Sequence, residues 1–150
     1  MRFLRSVLLF KLGVWVGMTS AARVMKHALP STGDANSDEI SLAAVMDGVK
    51  LESRAKAFRG GSLLAWYGGI QLDLREAELA PDARLTANAF FGGIDVKTPP
   101  GWRIEPNVKG LGGGVDTPSA ADPEGPVLAL DGMAVFSGIR VSQPEPSPSR

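Results

Sequence analysis

The 150 residues include no cysteine, which excludes disulfides, thiolate nucleophiles and cysteine-based zinc sites. The single histidine, His27, lies among the first 30 residues, so the rest of the chain can assemble neither a Ser-His-Asp triad nor a histidine-ligated metal site. Net charge is also lacking, with 16 Lys+Arg against 16 Asp+Glu, and no basic stripe runs through residues 39–141 to suggest a nucleic-acid partner. Within the first 30 residues the longest charge-free stretch is Leu12 to Ala22, short of the roughly 20 apolar residues of a comfortable membrane span. No pattern calls for a cofactor or a metal.

What is present is 44% hydrophobic and 21% charged residues, the balance of an ordered globular chain with room for one domain and its flanks. The charge is unevenly spread: Arg2, Arg5, Lys11, Arg23 and Lys26 meet no acid before residue 31, so the remainder carries minus five. Residues 2–28 lack proline and are rich in Leu, Val, Met and Ala, which predicts an α-helix. Phe3, Val7, Val14, Met18, Ala21 and Met25 share one of its faces, and Arg5, Arg23, Lys26 and His27 fall on the other. Segment 1–29 is therefore expected to be an amphipathic or short membrane-anchoring helix, with Arg2, Phe3, Arg5, Phe10, Lys11, Trp15, Arg23 and Lys26 in contact with the membrane. A cleaved secretory signal ending near Ser20-Ala21-Ala22 is the competing reading, and Lys11 within the apolar stretch argues against it. Residues 30–38 read as a linker and the proline-rich 142–150 as a disordered tail, leaving 39–141 as the folded domain.

That domain repeats. A glycine followed by Ile or Val recurs at Gly48, Gly69, Gly93, Gly114 and Gly138, at spacings of 21, 24, 21 and 24. Four positions before each stand Ala44, Ala65, Ala89, Gly110 and Ala134. Three before stand Val45, Trp66, Phe90, Leu111 and Val135, and three after stand Leu51, Leu72, Val96, Thr117 and Val141. Alternation after the glycine, as in Ile70-Gln-Leu-Asp-Leu74, marks a strand. A unit this short buries its apolar side only against copies of itself, so the expected fold is all-β: a short right-handed parallel β-helix-like solenoid of about five Gly-Gly-Ile/Val units behind the N-terminal helix. The helix would cap one end and the proline-rich tail would protect the other. The doubled 45-residue rhythm leaves open a two-layer β-sandwich with odd and even units on separate sheets. In a regular stack, the acidic connections around Glu76, Glu78, Asp82, Asp122 and Glu124 would line one edge, apart from basic Arg54, Lys56, Arg59, Arg103 and Lys109.

The run from Gly60 through Tyr67-Gly-Gly-Ile-Gln-Leu-Asp-Leu74 to Leu79, continued by Phe90-Phe-Gly-Gly-Ile-Asp-Val96, Pro99-Pro-Gly-Trp-Arg103 and Gly112-Gly-Gly-Val-Asp116, resembles one family. It is similar to the C-terminal toast-rack domain of the LiaF-like cell-wall-active antibiotic response proteins, over about residues 42–141. The resemblance implies a bacterial, membrane-associated β-repeat domain in envelope-stress sensing that restrains a partner sensor kinase, with no catalytic residues to carry over. Gly68, Gly69, Ile70, Asp73, Leu74, Phe91, Gly92, Gly93, Pro100, Gly101 and Trp102 match as fold determinants. The family's several membrane spans are represented here by one weak segment.

The expectation is thus a non-enzymatic interaction domain, a regulator or scaffold on the membrane with its cytoplasmic side favoured. Its partners would be the lipid surface, a membrane sensor or envelope protein and, in one reading, further copies of itself, without nucleic acid. Trp102 and Arg103, beside the rigid Pro99-Pro100-Gly101 turn, are the candidate partner-binding residues, and a plain turn with Trp102 in the core is the alternative. A self-assembling membrane-bound scaffold resembling the bactofilins is the second functional reading. A glycan-acting enzyme using paired carboxylates among Asp73, Glu76, Glu78 and Asp82 ranks last, because Pro81-Asp82 reads as a solvated turn. Gly110-Leu-Gly-Gly-Gly114 lacks the Lys-Ser/Thr of a phosphate-binding loop and reads as a repeat corner.

Overall fold

The computed structural model describes residues 31–119 and 122–144, and among these there is no helix. The expected anchor 1–29, with all of its membrane-contacting candidates, lies outside the described residues. Each sequence unit folds as two strands joined by a tight arc. Turn 1 holds β1 (Glu39–Val45) and β2 (Gly48–Glu52), turn 2 holds β3 (Phe58–Trp66) and β4 (Gly69–Asp73), and turn 3 holds β5 (Leu79–Phe90) and β6 (Gly93–Lys97). Turn 4 holds β7 (Arg103–Leu111) and β8 (Gly114–Asp116), and turn 5 holds β9 (Val127–Val135) and β10 (Gly138–Ser142). The leading strands form one parallel five-stranded sheet and the trailing strands another, giving a β-helix-like solenoid. Every unit contributes to both sheets, so the sandwich of odd and even units is excluded.

The repeat columns become ladders. Val49, Ile70, Ile94, Ile139 and Val115 stand side by side in the trailing sheet, and Ala44, Ala65, Ala89, Ala134 and Gly110 in the leading sheet. Ile70, Ile94 and Ile139 are buried, as are all four alanines. Parallel strands in exact register place identical side chains in contact, so a period of two in each strand becomes a continuous apolar interior. The small column lies beside the arc, where the sheets converge and leave room for little more than a methyl group.

The stacking order departs from the sequence order. The leading sheet runs β1-β3-β5-β9-β7 and the trailing sheet β2-β4-β6-β10-β8, so turn 5 is inserted between turns 3 and 4. The inward residues of the two turns account for the exchange. Turn 5 offers Leu128, Leu130, Ala134 and Ile139 to the interior, whereas the matching positions of turn 4 hold Ile104, Pro106, Gly110 and Val115. Burying the more apolar turn on both sides removes more surface from water.

Three further expectations are corrected. Residues 31–38 are no free linker: Thr32 exchanges backbone hydrogen bonds with Ser41 at 2.7 and 2.8 Å, and Arg59 N–H donates to the Asp38 carbonyl at 2.7 Å. The segment therefore lies along the outer edge of turn 1. Ser142, the first residue of the expected tail, belongs to the internal strand β10 and pairs with Lys97, and residues 145–150 lie outside the described residues. The basic and acidic connections are not segregated, because Arg54 pairs with Glu76 at 2.9 Å and Lys56 with Glu78 at 3.8 Å, while Arg103 and Lys109 belong to β7.

Candidate interaction surface

Trp102 is 6% exposed and belongs to the core. Its carbonyl accepts the Gln143 side-chain amide at 2.8 Å, and the neighbouring Arg103 donates through Nε to the Gly125 carbonyl at 3.0 Å. A methyl group on Gly125 would stand 1.8 Å from the Gly101 carbonyl oxygen, so the backbones of the two crossover loops touch there. Trp102 and Arg103 thus join the loop that leaves turn 3 to the loop that enters turn 5, and both are occupied by contacts within the fold.

The acidic side chains expected to be weighed for glycan chemistry are spread along charge pairs. Besides the Glu76 and Glu78 pairs, Asp73 accepts from Arg75 at 2.6 Å. The Arg75 hydrogen bonds hold the Asp73 carboxyl below its usual value of 3.8 against the opposing effect of burial. Asp82 sits in a bulge where five residues of β5 span the distance that two cover on β3, with φ of 58° and an exposed side chain. Among the described residues no group of three or more His, Cys, Asp or Glu is placed to hold a metal ion.

The more distinctive surface lies on the arcs. The residue two before each repeat glycine turns the chain from one sheet to the other with a left-handed backbone: Met46 (φ 52°), Tyr67 (50°), Phe91 (53°), Phe136 (45°) and Gly112 (65°). Glycine is the ordinary solution for such a corner, because a Cβ is crowded in this conformation. Only turn 4 uses it. The other four corners carry large apolar side chains, and these point outward: Met46 is 48% exposed, Tyr67 41%, Phe91 46% and Phe136 60%.

The aromatic rings stack along the solenoid axis. Tyr67 and Phe91 are 4.9 Å apart at 9°, and Phe91 and Phe136 are 5.5 Å apart at 21°. The row ends where the Phe136 ring covers Gly112, whose missing Cβ would lie 2.7 Å from that ring. Trp66 and Phe90, one residue earlier in their turns, continue the cluster onto the outer face of the leading sheet with centroids 5.5 Å apart. Leu111 and Met133 are the remaining large apolar residues left exposed among the described residues; Leu111 directly precedes the corner residue Gly112, and Met133 lies within β9 opposite Lys109. One convex edge therefore carries five of the six, Leu111 included, over five rungs or about 19 Å.

On the other side of the arc the five repeat glycines line up as the floor of a shallow trough of about 710 Å³, bordered by Lys50, Gln71, Asp95, Arg140 and Asp116. A Cβ at Gly48, Gly114 or Gly138 would meet nothing within 4 Å. Asp95 Oδ1 is buried there without a hydrogen-bond partner.

The arc row was present in the sequence as a column reading Met, Tyr, Phe, Gly, Phe. Its meaning was hidden because nothing in a column of letters distinguishes an inward strand position from an outward corner. The single glycine among large residues is the one signal of the left-handed backbone. No family model, curated protein or solved structure matches the chain.

Proposed function

We propose that this chain is a non-enzymatic, membrane-associated interaction domain, a regulator or scaffold that serves the bacterial cell envelope. The observation that carries this reading is the gathering of five of the six large exposed apolar side chains among the described residues onto one edge. Contiguous apolar surface of this kind marks binding to a protein or a membrane. The basic, apolar sequence of residues 1–29 supports the membrane. The resemblance of residues 42–141 to the LiaF-like toast-rack domains supports a role in envelope-stress sensing. The pairing of Asp73, Glu76 and Glu78 with cations supports a binding role over a hydrolytic one.

End-to-end assembly is the weaker reading. The edge of β1 is occupied by Thr32, and the free edge of β7 carries Pro106, which has no N–H to offer a neighbouring strand. Fractionation of cells expressing the full chain, beside a chain lacking residues 1–29, tests the proposal. The full chain is expected with the membranes, and a soluble full chain would overturn the reading.

A further inference from the structure

From the arc row we infer that the β domain touches the membrane itself, through a lipid-contacting ridge made by Met46, Tyr67, Phe91 and Phe136 with Leu111 beside them. Lipid contact at the ridge presupposes the membrane association proposed above and adds a second surface to it.

The shape of the edge selects the occupant. The row stands on the convex corner between two sheets, so a protein partner would need a complementary groove about 19 Å long, whereas the interfacial layer of a bilayer admits a ridge without one. The chemistry agrees with that choice. Tyr67 and Trp66 are residue types that favour the membrane interface. The arc residues and the rows on either side of them, from Val45 to Gly48 in turn 1 and the equivalents in the other four turns, contain one charged side chain, Asp47.

The backbone supplies an independent reason. Four left-handed corners carry Met, Tyr, Phe and Phe where Gly or Asn would be less strained. A local rule broken repeatedly in one direction points to use of the side chains themselves. Position along the chain agrees as well. Ser31 receives the Ala43 N–H on its hydroxyl at 3.1 Å, three residues before Met46. The sequence of residues 1–30 thus joins the described domain at Ser31, a residue held against the strand that leads to the ridge.

The absence of native cysteine makes the test direct. The full chain is prepared as Phe136→Cys and as Gln71→Cys, each labelled with an environment-sensitive dye. Gln71 is exposed on the outer face of the trailing sheet. Vesicles of phosphatidylcholine and phosphatidylglycerol are then added, with and without headgroup-proximal nitroxide lipid. The dye at 136 is expected to shift to the blue and to be quenched, and the dye at 71 to stay aqueous. The triple variant Tyr67→Asn, Phe91→Asn, Phe136→Asn, with a residue that tolerates the left-handed backbone, is expected to lose at least tenfold in vesicle partitioning.

A chain that sediments with vesicles while the dye at 136 stays aqueous would overturn the ridge and leave the membrane reading standing. Protection of that dye without lipid, growing with protein concentration, would assign the ridge to a second copy and overturn it also. A chain that fails to sediment with vesicles at all would remove both.

Discussion

Glycines of two kinds occur in the solenoid, and they predict opposite responses to the same methyl group. Gly132 has φ of 140°, and its Cβ would fall 1.8 Å from the Ala87 carbonyl oxygen, so Gly132→Ala combines backbone strain with a clash against a strand that cannot move independently. Denaturant unfolding is expected to show a loss of about 3 kcal/mol. Gly138 has open space around the same position, and Gly138→Ala is expected to change stability by no more than about 1 kcal/mol, in the stabilising direction through lower chain entropy. At Asp73 the relevant effect is charge. Its folded carboxyl titrates below 3.8 because Arg75 donates to it, so the contribution to stability is complete above 3.8 and drains away as pH falls through the lowered native value. Arg75→Ala is expected to lower the Tm slightly at pH 7, with the difference from the parent closing below pH 3.8; thermal melts across that range check it. The pair is half exposed on the arginine side, which keeps the effect small.

Among the connecting elements, the two crossover loops touch each other across the exchanged turns. Trp102 fills the core beneath them and is held from both sides of the exchange, by Gln143 through its own carbonyl and through Arg103 by Gly125. Trp102→Ala is expected to cost about 3 to 5 kcal/mol, the range for an emptied aromatic site, and equilibrium unfolding would measure it. A pull-down lost only because this variant unfolds would therefore say nothing of a partner site. Strand β7 illustrates a different constraint. Arg103 N–H bonds to turn 5 and Leu111 accepts from Phe136, so alternation turns Pro106 away from β9 and toward the open edge. Pro106→Thr restores a donor there and is expected to promote self-association, read as a concentration-dependent rise in sedimentation coefficient.

For the molecule as a whole, the inserted turn fixes the order in which structure can form. Strands β7 and β8 pair only with β9 and β10, so turn 4 has no partner until turn 5 is in place. Pulsed hydrogen exchange during refolding is expected to show residues 103–116 gaining protection together with 127–142 and never before them, and a chain truncated after residue 126 to leave 103–116 unprotected. A stack built in sequence order would instead protect turn 4 on turn 3.

Much of this was legible in one dimension. The strands, the all-β class, the rungs and their register follow from the sequence alone, because a glycine-anchored period of 21 or 24 residues with alternating apolar positions admits few other ways to bury its side chains. Even the weakness of turn 4 as an interior rung was visible in Gly110 and Thr117, which break their columns. Tertiary structure alone decided the place of turn 5, since choosing between an adjacent and an inserted rung depends on the burial available on both faces at once. It also decided which apolar columns face outward. Trp66 and Phe90 differ little in composition from the interior columns, and Met46, Tyr67, Phe91 and Phe136 differ only in lying at an arc, where the backbone turns left-handed and directs the side chain away from the core. Hydrophobicity sets how much surface is to be buried, and only the path of the chain sets which part of it is left over.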